Sequence, residues 1–115
     1  MNISLTIPGR LPSLNENLRT HWAKRARVKD NMAWHLAISG QPRPKTKKCR
    51  AVLTVYQKTR RFDEDNLHGA CKPVIDALKE TGYIWRDSPA WFDLEIRQEL
   101  DHKNPRVEIE LEELA

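Results

Sequence analysis

The sequence predicts an α+β fold, in which a mixed β-sheet is flanked by two main helices. Segments near both ends of the chain alternate apolar and polar side chains, which is typical of strands with one buried face. Two longer segments have helical spacing and end at a glycine. The predicted order is β-α-β-α-β-β, with the helices on one side of the sheet. We expect one domain, residues 1–115, because this length supports one core and not two.

The first strand and the first helix are predicted close together. Residues 2–7 alternate, which indicates a half-buried strand. Ser13 and Glu16 have the S-x-x-E spacing of a capping box, so a helix is expected to begin directly after Ser13. We expect that helix to extend to about Ser39, with Gly40 ending it.

A second strand leads into a second helix. Residues 51–58 are rich in β-branched and aromatic side chains, which favours a strand. The helix is expected from about residue 65 to Thr81, capped by Gly82. Pro73 lies inside it and removes one backbone hydrogen bond, so we expect a kink or two short helical pieces.

The C-terminal part supplies the last strands. Residues 92–100 and 107–111 alternate as strands do, and residues 83–85 could form an extra short one. Trp85 and Trp91 are either core residues or platforms for an unpaired base, and the core interpretation is favoured.

Composition excludes several classes of protein. No apolar run is long enough to cross a membrane, and the first ten residues lack the pattern of a signal peptide, so we expect a cytoplasmic protein without a membrane partner. Cys49 and Cys71 are too few for a Cys₄ or Cys₂His₂ zinc site. They are expected to be free thiols, with a disulfide as the less favoured alternative.

The net charge of +4 hides a strong asymmetry. Residues 1–61 carry 14 Lys and Arg against 2 Asp and Glu, a sum of +12, whereas residues 62–115 carry 6 against 14, a sum of −8. A basic half favours nucleic-acid binding, although two halves of a protein can simply differ. The last strand has an acidic outer face, so we expect the binding surface to lie elsewhere.

A group of carboxylates is predicted where the second strand meets the second helix. Asp63 and Asp65 are two apart, so their side chains leave an extended segment on the same side. Lys72 and Asp76 share the helix face of Asp65, and Asp87 follows the helix and could return beside the pair. Clustered carboxylates repel each other unless a hard divalent cation neutralises them. The alternative is a solvated turn.

The same segment resembles the RusA-type Holliday junction resolvases, small endonucleases of phages and prophages. The resemblance is carried by Asp63-Glu64-Asp65-Asn66-Leu67, Lys72, Asp76-Ala77-Leu78, Gly82-Tyr83-Ile84-Trp85-Arg86-Asp87-Ser88 and Leu11-Pro12-Ser13-Leu14-Asn15. It is dense over residues 58–88 and thin elsewhere.

Two positions depart from the family pattern. Arg86 stands where the family usually has the first acid of an Asp-Asp pair, and Asp87 takes the place of the second acid. Lys72 follows Asp65 by seven residues, whereas some members have four. Both spacings keep the lysine on the face of Asp65.

The resemblance implies a Mg²⁺-dependent endonuclease, with Mn²⁺ as an alternative ion, that resolves four-way DNA junctions by paired symmetric nicks. Two symmetric nicks from one small domain imply a homodimer. Asp63, Asp65 and Asp87 are expected to bind one or two metal ions. Lys72 is expected to stabilise charge on the phosphate or the leaving group, or to orient the water. The expected setting is a bacterial cell, with a phage or prophage gene.

Other residues are assigned supporting roles. Asn66 and Asp76 are expected to lie behind the catalytic residues, where Asp76 either positions Lys72 or forms an ordinary salt bridge. The residues expected to contact DNA are Asn15, Arg19, Lys24, Lys47, Lys48, Arg60 and Arg61. Lys47 and Lys48 belong to a basic loop, residues 40–50, that also contains Lys45.

Two alternatives remain open at this point. One is a nuclease for flaps or forks. The other is a DNA- or RNA-binding module that has lost catalysis, which Arg86 favours.

Overall fold

The computed structural model describes residues 2–19, 21–44 and 47–114, apart from the side chains of residues 14 and 17. Lys45 therefore lies outside the described residues. The strands are β1 (Asn2–Pro8), β2 (Cys49–Gln57), β3 (Phe92–Leu100) and β4 (Arg106–Glu113). The helices are α1 (Leu14–Arg19), α2 (Trp22–Ala37) and α3 (Glu64–Glu80).

The four strands form one mixed sheet in the order β1-β4-β2-β3. β4 pairs antiparallel with β1 and with β2, whereas β2 and β3 are parallel. Val55 of β2, for example, lies opposite Val107 of β4 and Gln98 of β3. Because parallel neighbours need a crossover connection, α3 carries the chain from β2 to β3. The predicted α+β class and mixed sheet are confirmed.

One face of the sheet builds the core. Ile3, Leu53 and Ile109 are buried from three different strands, and the residues that alternate with them along the strands face outward or are half-buried. From α3, Val74 and Leu78 are completely buried in the same cluster. Each such side chain contributes about 1.5–3 kcal/mol relative to an exposed one. The strand patterns therefore predicted the buried face correctly.

The single long helix expected after Ser13 is wrong, because the chain forms α1 and α2 in its place. His21 separates them. Its backbone is extended, with φ −56° and ψ 141°, and its Nδ1 accepts a hydrogen bond from the N–H of Ala23 at 3.2 Å. The side chain thereby caps a new helix and competes with continuation of the old one. The capping box at Ser13 and Glu16 is confirmed.

Helix α3 is continuous over 17 residues, so the expected division at Pro73 is wrong. Its C-terminus is fixed as predicted. Gly82 has φ +85°, its N–H donates to the carbonyl of Lys79, and the N–H of Tyr83 donates to the carbonyl of Leu78. These are the paired bonds of a Schellman motif, which a glycine in the left-handed conformation favours.

The segment between α3 and β3 differs from two expectations. It contains no strand at residues 83–85. Trp85 is 50 % exposed and Trp91 is 36 % exposed, so neither is a core residue.

Cys49 and Cys71 are buried and are not joined in a disulfide, as expected. Burial raises the pKa of the Cys71 thiol to about 12. Among the described helices, none combines the length and the apolar character needed to cross a membrane.

Candidate functional site

The junction between β2 and α3 positions the predicted carboxylates. Asp63 is the N-cap of α3, and its Oδ1 accepts a hydrogen bond of 2.8 Å from the backbone N–H of Asn66. An N-cap carboxylate satisfies one of the free N–H groups at a helix start and is favoured by the helix dipole. Asp65 follows in the first turn of the helix and is exposed. Local capping therefore fixes where Asp63 stands.

A side chain from β3 holds the backbone just before Asp63. The amide of Gln98 accepts a hydrogen bond from the N–H of Phe62 at 3.0 Å and donates one to its carbonyl at 2.9 Å. Phe62 also packs against the hydrophobic core. The backbone of Phe62 is thus held by two hydrogen bonds, and its side chain is held by packing, directly before α3 begins. Gln98 was not identified from the sequence, because a strand pattern does not show that an inward-facing amide hydrogen-bonds the backbone of a distant segment.

The carboxylates open into a cleft of about 430 Å³. Its lining residues are Asn15, Asp63, Glu64, Asp65 and Asn66. In the part of the chain that the structure describes, no lysine or arginine nitrogen lies within 4.0 Å of the carboxylates of Asp63, Glu64 or Asp65. We call this space the carboxylate cleft. The structure therefore brings together four of the predicted site residues, Asp63, Asp65, Asn66 and Asn15.

Asp87 lies elsewhere, in an ion-pair cluster beside α3. Its Oδ2 is 3.5 Å from Nζ of Lys79 and 3.6 Å from Nζ of Lys72. Desolvation raises the pKa of Asp87, but attraction and a hydrogen bond from Lys79, together with the charge of Lys72, outweigh it and hold the pKa below its usual value. Asp87 is therefore a charged carboxylate with two ammonium partners.

The two clusters are separated along α3. Lys72 follows Asp65 by two helical turns, a rise of about 10 Å. Lys72 and Asp87 lie together outside the carboxylate cleft, so the expected return of Asp87 beside Asp63 and Asp65 is not observed. Lys79 was not identified from the sequence, although its seven-residue spacing from Lys72 on one helix face was a usable signal.

Within the described ranges, no group of three or more His, Cys, Asp and Glu side chains is arranged to hold a metal ion. The donors in the carboxylate cleft are nevertheless all of the type that Mg²⁺ and Mn²⁺ select, namely carboxylate and amide oxygens. Mg²⁺ commonly binds through one or two carboxylates and keeps several waters. The pair of Asp63 and Asp65, with the Asn15 amide, fits that requirement.

The basic residues expected to contact DNA are distributed over the surface and lie outside the carboxylate cleft. Nζ of Lys47 lies 4.4 Å from the ring centre of Trp85, and Arg61 lies 3.9 Å from Glu99. Those with exposed side chains are Arg19, Lys24, Lys47, Lys48, Arg60 and Arg61.

Asp76 contacts a different partner from the one expected. Its Oδ2 lies 3.9 Å from Nζ of Lys29 in α2, and this ion pair joins α2 to α3. The salt-bridge alternative for Asp76 is therefore the one observed.

Comparison with known proteins adds no family assignment. No protein-family model matches the chain, and no curated protein is significantly similar to it in sequence.

Proposed function

We propose that this protein is a Mg²⁺-dependent endonuclease that resolves four-way DNA junctions by paired symmetric nicks. The observation that carries the proposal is the carboxylate cleft. Asp63 and Asp65 stand exposed at a rigid strand-to-helix junction, with no lysine or arginine within 4.0 Å among the described residues. Neighbouring carboxylates repel each other, and no cationic side chain offsets that repulsion here among the described residues. Such an arrangement favours the binding of a divalent cation. The resemblance of residues 58–88 to the resolvases supplies the substrate class.

Mg²⁺, or Mn²⁺ in its place, would activate water and offset the charge that develops on the scissile phosphate. Asp63 and Asp65 would hold it. Asp87 would join them only after leaving Lys72 and Lys79. Both ion pairs are solvent-exposed and therefore screened by water, so this exchange of partners costs little.

The remaining residues have roles that follow from their charge and position. Lys72 would stabilise charge on the phosphate, and release from Asp87 would make its ammonium available. Arg60 and Arg61 precede the cleft directly in the chain and would hold neighbouring phosphates. Asn15 would bind DNA at the cleft wall.

Cleavage of a labelled synthetic four-way junction tests the proposal. The reaction is run with Mg²⁺, with EDTA and with the Asp65→Asn variant, beside linear duplex, flap and fork substrates of the same sequence. Asp93→Asn is the matched control, because Asp93 is an exposed carboxylate on the opposite, outward face of β3. We expect paired nicks in the junction alone, lost with EDTA and with Asp65→Asn and kept with Asp93→Asn. Two symmetric nicks in one event would also require a homodimer.

The second candidate function is a DNA- or RNA-binding module without catalysis. It is favoured by the two lysines on Asp87 and by Arg86 in place of an acid. Tight junction binding without a cut, even in Mn²⁺, would overturn the nuclease proposal and support this alternative. Cleavage of flaps or forks in preference to the junction would mean that the proposed substrate is wrong, whereas the proposed enzyme class, a metal-dependent endonuclease, would stand.

A further inference from the structure

A second cleft, of about 610 Å³, lies between α2 and α3. Its apolar lining includes Leu18 and Trp22 on one side and Gly69 and Pro73 on the other. We call it the tryptophan cleft. None of the roles proposed above accounts for its apolar wall.

Trp22 is the most informative residue in this cleft. Its side chain is 69 % exposed although an indole gains from burial, and the ring of His21 lies beside it at 5.4 Å between centres. An exposed aromatic platform at the wall of a cleft is the arrangement on which nucleic-acid bases stack. The exposure of Trp22 is therefore explained by a planar ligand more readily than by the packing of the fold.

The cleft also has the charge that a phosphate backbone requires. Arg25, Lys29 and Lys72 line it, and Asp76 is the one carboxylate among its lining residues in the described chain. Three cations and one carboxylate give a net charge of +2. Asp76 neutralises Lys29 in part, at 3.9 Å, and Asp87 neutralises Lys72 in part, at 3.6 Å. Among the described residues, Arg25 is then the main attraction for an anion. The apolar wall suits the base of a nucleotide, and the positively charged rim suits its phosphate. A neutral apolar ligand would make no use of the charged rim.

The position of the cleft connects it to the proposed site. His68 and Lys72 line it from the same face of α3 that begins with Asp65, and Lys72 also contacts Asp87. A strand whose phosphate lies at the carboxylate cleft can therefore continue along α3 into the tryptophan cleft. Such a strand must be unpaired there, because a base inside a duplex has no free face to stack.

We propose that the tryptophan cleft binds an unpaired nucleotide of the DNA substrate. The base stacks on Trp22, and the flanking phosphates contact Arg25, Lys29 and Lys72. The link to a branch point rests on the proposed nuclease function, whereas the binding of single-stranded DNA does not.

The test compares Trp22→Ala with Trp34→Ala, a matched control, since Trp34 is 56 % exposed on the same helix but does not line the cleft. Binding of a fluorescein-labelled 12-nucleotide oligodeoxythymidine and of a 12-base-pair duplex is measured by anisotropy in EDTA, so that no cleavage occurs. We expect Trp22→Ala to weaken single-strand binding by about 5–150-fold. Duplex binding should change less than about twofold, and Trp34→Ala should match the wild type.

A second measurement covers the case in which Trp22→Ala fails to fold. Oligodeoxythymidine should quench tryptophan emission of the wild type and of Trp34→Phe, and the quenching should be lost in Trp22→Phe. Equal single-strand affinity in the wild type and Trp22→Ala, or quenching that survives Trp22→Phe, would overturn the proposal.

Two further outcomes would also overturn it. One is an equal loss for single strand and duplex, which would indicate a general effect on charge or folding. The other is a wild-type dimer that Trp22→Ala converts to monomer in sedimentation velocity, because a second copy of the chain would then be the occupant. The wild type could fail to cleave the junction while Trp22→Ala selectively loses affinity for single-stranded DNA. That result would reject the proposed nuclease function and support the nucleotide site.

Discussion

At the scale of single residues, Asp87 shows how a sequence motif and its surroundings can point to different states of one side chain. The motif predicts a metal ligand, whereas the structure places two lysine ammonium groups within 3.6 Å of its Oδ2. Both arrangements require a charged carboxylate. The lysines keep Asp87 ionised and occupy the carboxylate that a metal ion would need.

Replacing Lys79 by Met tests this account of Asp87. Desolvation would then be opposed by Lys72 and a backbone hydrogen bond alone, so we expect the pKa of Asp87 to rise toward its ordinary 3.8. NMR titration of the side-chain carboxyl carbon measures it. The control is Lys103→Met, in the exposed turn before β4, which should leave Asp87 unchanged.

The same pKa has a consequence for stability, and its sign is fixed. Because the folded-state pKa is lowered, the contribution of Asp87 is present above the ordinary value of 3.8 and is lost as the pH falls through the lowered pKa. The stability of Lys79→Met should therefore depend less on pH in that range than that of the wild type. An unchanged titration of Asp87 in Lys79→Met would show that the ion pair does not form in solution.

At the scale of elements, the start of α1 is a compact electrostatic unit. The guanidinium of Arg10 donates to both carboxylate oxygens of Glu16 at 2.7 and 2.8 Å, and Glu16 completes the capping box with Ser13. The hydrogen bonds from Arg10, which outweigh desolvation, and the bonds to Ser13 lower the pKa of Glu16 to about 2. Helix α1 thus depends on a carboxylate that stays ionised in moderate acid.

The Glu16→Gln variant should lose this contribution. We expect it to be less stable than the wild type by about 1 kcal/mol at pH 6, a value that allows for solvent screening of an exposed pair. The difference in unfolding free energy between the wild type and Glu16→Gln should have its full value above pH 4.5. It should shrink as the pH falls toward 2, because Glu16 of the folded wild type then becomes protonated. Urea unfolding at several pH values measures it. Glu80→Gln, at the exposed end of α3, should show no such convergence.

The clamp between β3 and the segment before α3 gives a prediction about catalysis. Gln98→Leu removes both hydrogen bonds to the backbone of Phe62 and frees the segment that carries Asp63. A small displacement of a catalytic group can cost about 10–100-fold in rate. Under the proposed nuclease function, we therefore expect kcat for junction cleavage to fall by that factor while junction affinity in EDTA changes less than about threefold. An unchanged kcat would show that Asp63 is held by its capping bond alone.

How far the sequence predicts these features depends on the range of the interactions that create them. The strands are predictable because alternation at Ile3, Leu53 and Ile109 is imposed by one buried face. Asp63 and Asp65 are predictable because they are neighbours in the chain. The break at His21 comes from one ring nitrogen bonding one backbone N–H, which leaves no periodic signal.

Long-range contacts are the part that the sequence does not provide. Gln98 lies 36 positions from Phe62, and Lys79 meets Asp87 only because the Schellman turn at Gly82 brings the following loop back along α3. No local pattern encodes the contact of Gln98, and the helical spacing of Lys79 from Lys72 marks only a shared helix face, not Asp87 as the partner. The exposure of Trp85 has the same cause. Its apolar neighbours in the sequence suggested burial, but the loop places its ring against the ammonium group of Lys47.

At the scale of the whole molecule, charge is divided between the two sides of the sheet. On the helical side, α1 and α2 carry five Lys and Arg against two Asp and Glu, whereas α3 carries two lysines against four carboxylates. The outward face of the sheet is acidic. The residues on that outward face include six carboxylates, Asp93, Glu95, Glu99, Glu108, Glu110 and Glu112, and three guanidinium groups, Arg50, Arg97 and Arg106. If the proposed DNA binding holds, α1 and α2 attract phosphate and the outward face of the sheet repels it, so DNA should approach from the side of α1 and α2.

This division predicts how salt affects binding. Each neutralised phosphate contributes about −0.9 to the slope of log K against log salt for duplex DNA. If Arg19 and Lys24 each contact a phosphate, the double variant Arg19→Ala, Lys24→Ala should reduce the slope by about 1.8. Glu110→Gln, Glu112→Gln on the outward face should leave the slope unchanged, although it alters the net charge by the same amount. If the slope changes by equal and opposite amounts in the two variants, binding depends on the total charge of the protein. The helical side would then have no special role in binding.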